Sequence, residues 1–187
     1  MELLNDILFW ALAFFLVWNA YIILFHKGVP NIGTAPAIRK KVVEFLKEDF
    51  KARAKAPYIV YDMGSGDGSF TREIARNLPG ARVIGIETSF QSYQWSMFLK
   101  KLFKLDNLDY RRQDFFSHDF SDAAAVVLYQ TIFQMEGIGR KLNDNLKSGT
   151  FVASNRYPLG GGWVPSQSLE VKTLYPHQKA LYIYKKA

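Results

Sequence analysis

Tyr58-Ile-Val-Tyr-Asp-Met-Gly-Ser-Gly-Asp-Gly68 joins a β-branched apolar run to three glycines at alternate positions, and Glu87 follows nineteen residues after Gly68. The run predicts a buried strand ending at Asp62. Gly64, Gly66 and Gly68 let the backbone turn tightly beneath a ligand, and a helix opening near Ser69 presents unpaired N–H groups to it. Strand, glycine turn and helix in that order form a nucleotide-type cofactor site.

The residues between the glycines bear on the ligand's charge. A dinucleotide fingerprint places its third glycine where Ser69 stands, and Asp67 would face a dianionic pyrophosphate, a costly pairing of like charges. S-adenosylmethionine (SAM) carries a sulfonium and an ammonium and no phosphate, so Asp62 and Asp67 would attract it. Glu87 closes a second strand-like run, Ala81-Arg-Val-Ile-Gly-Ile-Glu87, where its two oxygens can accept the ribose hydroxyls. Asp114 follows Leu108-Asp-Tyr-Arg-Arg-Gln113 and reaches the adenine amino group if that run is the next strand.

Over roughly residues 34 to 187 the chain resembles the class I SAM-dependent methyltransferases, through Val60-Tyr-Asp-Met-Gly-Ser-Gly-Asp-Gly68, Gly85-Ile-Glu87 and Gln113-Asp114. Within them it looks most like membrane-anchored protein-lysine methyltransferases. In the mitochondrial members of that group a hydrophobic segment precedes the domain, and the substrates are lysines of inner-membrane proteins. The features shared with the group are the hydrophobic N-terminus, Thr34-Ala-Pro36, Asn155-Arg-Tyr-Pro-Leu159, Trp163 and Pro165. The chain departs from the group's pattern at Tyr129-Gln-Thr-Ile132 and Ser89-Phe90. The resemblance implies an α/β fold with one Rossmann-like, doubly wound, mostly parallel sheet, preceded by one transmembrane helix. It divides the chain into an anchor (1–27), a linker with a leading helix (28–57) and a SAM-binding domain (58–187).

The anchor also follows from composition. Ile7 to Phe25 carries no charge and one strongly polar side chain, Asn19, and as a helix spans about 28 Å, close to a bilayer's hydrocarbon thickness. A cleavable signal would begin with basic residues, whereas this segment begins with Glu2 and Asp6, and no small-residue cleavage site follows Phe25. A buried core helix would be shorter or show a polar face. All 24 Lys and Arg lie after His26, the nearest being Lys27, Arg39, Lys40 and Lys41, so the positive-inside rule puts the domain on the cytoplasmic side, at the inner membrane if the chain is bacterial. Without Glu2 and Asp6, fifteen acids face 24 bases, a charge of +9. A basic domain gains about 1 kcal/mol per well-placed Lys or Arg at an anionic leaflet. Lys100, Lys101 and Lys104 can serve there or simply form a solvated face.

Other classes are excluded on composition. The absence of cysteine rules out disulfides, thiolate zinc sites and a thiol nucleophile. His26, His118 and His177 are too dispersed to hold a metal, and none is expected. Basic residues and aromatics are plentiful, but no nucleic-acid module accompanies them. Neither Ser65 nor Ser69 lies in Gly-x-Ser-x-Gly, which removes the hydrolase reading.

Helix and strand signals alternate along the domain. Thr34 is positioned to cap a helix through Ile38, Val42, Leu46 and Phe50. Further helices are expected over Phe70–Asn77, over Tyr93–Lys104 with Trp95, Phe98, Leu99 and Leu102 on one side, and over Phe133–Leu146, weakened by Gly137 and Gly139. Ala123–Tyr129, Thr150–Asn155, Leu169–Leu174 and Ala180–Lys185 read as strands, with Gly160-Gly-Gly162 as a flexible stretch. Asp62, Glu87, Asp114 and Tyr129 then all close strands, where ligands of open α/β sheets bind. For a methyl transfer to a neutral lysine amine, aromatics such as Tyr129, Phe133, Tyr157 and Trp163 would desolvate the amine, and Gln130 would orient it, with packing the expected role of Phe133 and Trp163. A membrane-anchored methyltransferase of a lipid or quinone-like molecule, or a non-catalytic scaffold on the same fold, shares these cofactor residues.

Overall fold

A computed structural model describes residues 2–26, 33–53 and 57–187, as two compact units, Met1–Ile32 and Gly33–Ala187. Lys27, the first cation after the apolar segment, and residues 28–32 and 54–56 of the expected linker lie outside the described residues.

The first unit is one helix, α1 (Glu2–His26). Its window Leu3–Ala20 is long and apolar enough to cross a membrane, and none of it is buried within the chain. Its strongly polar side chain, Asn19, donates Nδ2 to the carbonyl of Phe15 one turn back at 2.7 Å, so the amide is satisfied inside the helix.

The second unit is a seven-stranded sheet between helices. Its elements are α2 (Pro36–Ala52), β1 (Ile59–Met63), α3 (Ser69–Asn77), β2 (Arg82–Glu87), α4 (Phe90–Leu102), β3 (Leu108–Arg112), β4 (Ala125–Leu128), a 3-10 turn (Ile132–Gln134), α5 (Met135–Asn145), β5 (Phe151–Asn155), β6 (Gln167–Glu170) and β7 (Ala180–Lys185). The spatial order is β3-β2-β1-β4-β5-β7-β6. β1 to β5 run parallel, and β7 is antiparallel to both β5 and β6. Strand order therefore reverses between β1 and β4, the switch point of the Rossmann-like methyltransferase fold that the glycine turn predicts.

The two-residue period of each strand sorts its side chains between two cores. Val60, Val83 and Leu108 pack with Ile38, Leu46 and Ile74 of α2 and α3 on one face. Tyr61, Met63, Ile84 and Ile86 pack with Ile138 and Leu142 of α5 on the other. Burial on both faces explains why these strands are continuously apolar.

Local expectations fare unevenly. The N-cap of α2 is Ala35 and Thr34 provides no side-chain cap: Pro36 occupies the first turn, and the Ala35 N–H is held at 2.7 Å by Gln178 Oε1, from the far end of the chain. α4 carries Trp95, Phe98 and Leu102 on one side, but that side faces solvent, each residue more than half exposed, while the fully buried positions are the small Ser92 and Ser96. β6 lies earlier than Leu169–Leu174, because it pairs with β7 from Gln167 opposite Ile183. Leu174 stands in solvent.

The Gly160–Gly162 stretch is docked on α5. Gly161 N–H donates to Glu136 at 2.9 Å, Asn143 donates to the Gly161 carbonyl at 2.7 Å, and Trp163 Nε1 donates to the Gly139 carbonyl at 2.9 Å. Gly139 is what permits the approach, since a Cβ there would stand 2.2 Å from the Gly160 carbonyl oxygen. Both partners are backbone and neither can swing away. Gly139→Ala is expected to destabilise the fold by about 1–3 kcal/mol, measured by urea unfolding of the variant against the parent, whereas Gly149→Ala meets no neighbour and carries only the strain of its left-handed φ.

Candidate active site

The site begins with the conformation of three glycines. Gly64, Gly66 and Gly68 have φ of 79°, 55° and 73°, in the left-handed region that disfavours any side chain. The space beside Gly64 and Gly68 is also occupied. A Cβ on Gly64 would lie 1.9 Å from Gln130 Nε2, and one on Gly68 would lie 2.2 Å from the Tyr110 hydroxyl and 2.7 Å from Ser96 Oγ. The turn is stitched to β2 by the N–H groups of Gly64 and Ser65, both donating to the Ile86 carbonyl at 2.9 Å.

Glu87, the last residue of β2, clamps the turn from outside. One carboxylate oxygen accepts the Gly66 N–H at 2.8 Å and the other accepts the Ser89 N–H at 2.7 Å. The oxygen facing Ser89 also accepts from Thr88 Oγ1 at 3.5 Å, while the one facing Gly66 keeps a further lone pair for a hydroxyl of a bound diol. Asp62 sits one residue before the end of β1 and is buried. Its Oδ2 accepts from Thr71 Oγ1 of α3 at 2.6 Å. Burial pushes its pKa up to about 7, against the lowering effect of the Thr71 bond, with the charges of Glu87 and Asp67 adding to the rise. Asp67 stands just before Gly68, the N-cap of α3, its Oδ1 accepting the Ser69 N–H at 3.0 Å, while its backbone carbonyl receives Arg72 Nη1 at 2.7 Å.

On the other side of the switch point, Tyr129 and Gln130 follow β4 directly and both are half-buried. Gln130 Nε2 donates to the Met63 carbonyl at 2.6 Å, which fixes the side chain against the glycine turn. Its Oε1 makes no hydrogen bond among the described residues and is the end left for a ligand. Asp114 stands apart from this cluster: it lies two residues beyond β3, exposed, with Oδ1 accepting the Phe116 N–H of its own turn at 2.9 Å. The link between that turn and the site is main chain, Gln113 N–H to the Glu87 carbonyl at 3.1 Å.

Among the aromatics, Phe133 projects into solvent at 93% exposure, the reverse of a packing residue. Trp163 packs edge-on to Tyr184 at 5.7 Å, and Tyr157 is half-buried against the same core. His118 is buried against Tyr61 and Phe120.

Three residues of the site escape the sequence motifs. Thr71 restrains Asp62, and Ser96 Oγ donates to the Gly66 carbonyl at 3.3 Å. Tyr110 lies across Gly85, where a Cβ would be 2.6 Å from its ring, and its hydroxyl donates to the Gly68 carbonyl at 3.2 Å. Register is the missing signal, because Asp62, Gly85 and Tyr110 are successive neighbours across β1, β2 and β3. Ser65, inside the glycine motif, has a buried hydroxyl with no hydrogen-bond partner among the described residues. An orphan hydroxyl, two acids and a side-chain-free floor fit a cationic, diol-bearing ligand such as SAM better than a pyrophosphate.

Comparison with known proteins agrees with this chemistry. The model of the ANTKMT methyltransferase domain matches residues 62–167. A protein-lysine N-methyltransferase of Saccharolobus islandicus is 26% identical over 145 residues, 77% of this chain and 88% of the relative. An RNA methyltransferase from Salinibacter ruber, solved with S-adenosyl-L-homocysteine, superposes with a TM-score of 0.68 at 25% identity, over 82% of this chain and 93% of the other. A geranyl diphosphate C-methyltransferase from Streptomyces coelicolor A3(2), with a TM-score of 0.61 at 12% identity over 79% of both chains, shares the fold alone. With more than half of its length matched across the glycine turn, Glu87 and the β4 loop, the chain belongs to the ANTKMT methyltransferase domain family and is a class I SAM-dependent methyltransferase.

Proposed function

We propose that the chain is a membrane-tethered protein-lysine N-methyltransferase, with residues 1–27 as anchor, 28–57 as linker and leading helix, and 58–187 as the SAM-binding domain on the cytoplasmic side. The observation that carries the lysine reading is the relative named as such, aligned over most of both chains. The apolar helix α1 supports the tether, and the distribution of Lys and Arg after it supports the orientation. An acceptor exposed at a bilayer surface, a membrane protein above all, follows from the tether.

In this reading Asp62 and Asp67 face the cationic methionine end of SAM, Glu87 takes the ribose diol, the Gly64–Gly68 turn lies beneath, and Asp114 borders the adenine. SAM supplies an electrophilic methyl group on a departing sulfur. The remaining work belongs to the chain. An acceptor lysine has an ordinary pKa near 10.4, so its proton must leave before the nitrogen lone pair is free. Half-buried Tyr129 and Tyr157 lower that pKa by desolvation, and the proton leaves to solvent. Gln130 Oε1 accepts an N–H of the neutral amine and aims the lone pair in line with the methyl carbon, its own position set by the Met63 carbonyl. The C–N bond forms as the C–S bond breaks, and the positive charge passes from sulfur to nitrogen.

The decisive experiment incubates the full chain and its Asp62→Ala variant with methyl-labelled SAM and membranes lacking this protein, then counts protein and lipid fractions separately. Label in a discrete protein band, dependent on Asp62, supports lysine methylation. Label in the lipid extract moves the acceptor to a small molecule, and label in neither leaves a scaffold. Tyr129→Ala is expected to bind SAM normally by calorimetry while turnover falls by roughly a hundredfold; unchanged turnover removes Tyr129 from the mechanism.

Asp62 also sets a pH dependence. Its folded pKa of about 7 lies above the unfolded value near 3.9, so the folded state holds the proton more tightly, and the ligand-free protein loses stability as pH rises from about 4 to about 7. Asp62→Asn is expected to abolish that slope in urea unfolding across this window. A cationic ligand favours the ionised carboxylate, so SAM affinity rises with pH through the same window and binding releases a proton. Calorimetry near pH 6.5 in buffers of different ionisation enthalpy reads that release.

A further inference from the structure

Ser92 and Ser96 are the buried residues of α4 and Tyr93 and Met97 pack half-buried against the core, whereas Trp95, Phe98 and Leu102 point away from the domain. Trp95, Phe98 and Leu102, at i, i+3 and i+7, form one stripe, with Trp95 and Phe98 stacked at 5.6 Å. Half-exposed Phe90 and Phe103 extend the apolar surface at the two ends of the helix. Cations surround it. The Arg112 guanidinium lies over Phe90 at 5.2 Å, that of Arg76 lies over Phe103 at 4.4 Å, and Lys101 and Lys104 are exposed. Of the nearby acids, Asp109 is paired with Lys100 at 3.3 Å and Asp106 is exposed.

We propose that this face of α4 is a membrane-docking surface for a leaflet containing anionic lipid: Trp95, Phe98 and Leu102 enter the headgroup–acyl boundary while Arg76, Lys101, Lys104 and Arg112 meet phosphates. An aromatic and aliphatic stripe with a cationic border matches an anionic interface in both polarity and charge. The same chain carries a helix apolar enough to span a bilayer, so a bilayer is the surface this domain meets constantly. The proposal rests on the tether reading for that delivery.

Because the chain has no cysteine, a single introduced one carries a unique environment-sensitive fluorophore. Full-length protein labelled at Phe98→Cys, or at Leu102→Cys as a second exposed position, is reconstituted in vesicles of phosphatidylcholine with or without phosphatidylglycerol, some bearing nitroxide lipid. Glu136→Cys on α5 is the surface control, and Phe14→Cys reports α1. With phosphatidylglycerol, the α4 label is expected to shift to the blue and be quenched while the α5 label is not. Replacing Lys101 and Lys104 by Gln lowers the docked-to-free ratio about fivefold per charge. An α4 label that behaves like the α5 label overturns the proposal, and with a quenched α1 label it does so while leaving the tether intact. An unquenched α1 label overturns the tether itself. An α4 shift that follows protein concentration instead of lipid composition assigns the face to a second copy and also overturns the proposal.

Discussion

The main chain between β1 and α3 passes where it does because three side chains are missing. Gly64, Gly66 and Gly68 hold left-handed φ values, and the space that Cβ atoms on Gly64 and Gly68 would fill belongs to Gln130, Tyr110 and Ser96. This one constraint organises its surroundings. Gly85 must also lack a side chain for Tyr110 to reach the Gly68 carbonyl, and α4 must present small residues to lie against the turn. With Ser92 and Ser96 taking the inward positions, Trp95, Phe98 and Leu102 are left on the outer side of α4. Close packing at the cofactor turn and an apolar patch on the surface are consequences of the same helix placement.

The acids around the turn oppose one another. Asp62 is buried beside Glu87 and Asp67, and together burial and repulsion favour its protonated form. Glu87 and Asp67 answer part of that cost by accepting backbone N–H groups, which makes each a structural element of the turn as well as a ligand candidate. Asp62 has a single Thr71 bond. It is the least compensated of the three, and a cation is what relieves it. A group held at a disadvantage in the ligand-free fold marks the place where binding energy is realised.

The cofactor half of this architecture was legible from sequence because its determinants are local. A β-branched run, a glycine turn and an acid at the end of the next strand follow one another along the chain, and the strand order confirms their convergence. What escaped reading depends on register or on contacts between distant segments. Tyr110 reaches the turn through its position opposite Gly85, and the start of α2 is held by Gln178 over a hundred residues away. The outward turn of Trp95, Phe98 and Leu102 escaped for a different reason. Helical periodicity reports that apolar residues share a side but not what that side faces. Phe133 likewise follows the helix pattern and stands in solvent.

A membrane tether and a docked α4 would act on different terms of the reaction. A helix in the bilayer would raise the effective concentration of the domain near any membrane acceptor, but a tether alone does not fix orientation, and an acceptor would still have to find the mouth of the site. Docking through a fixed helix face removes rotational freedom as well. α4 begins three residues after Glu87, so a bilayer against its outer face is set relative to the strand ends that build the cofactor site. Orientation fixed in this way limits acceptors to amines at a narrow range of heights above the leaflet. Selection among lysines of similar local sequence then becomes a matter of depth, which side-chain contacts at a shallow, half-buried acceptor position would not supply alone.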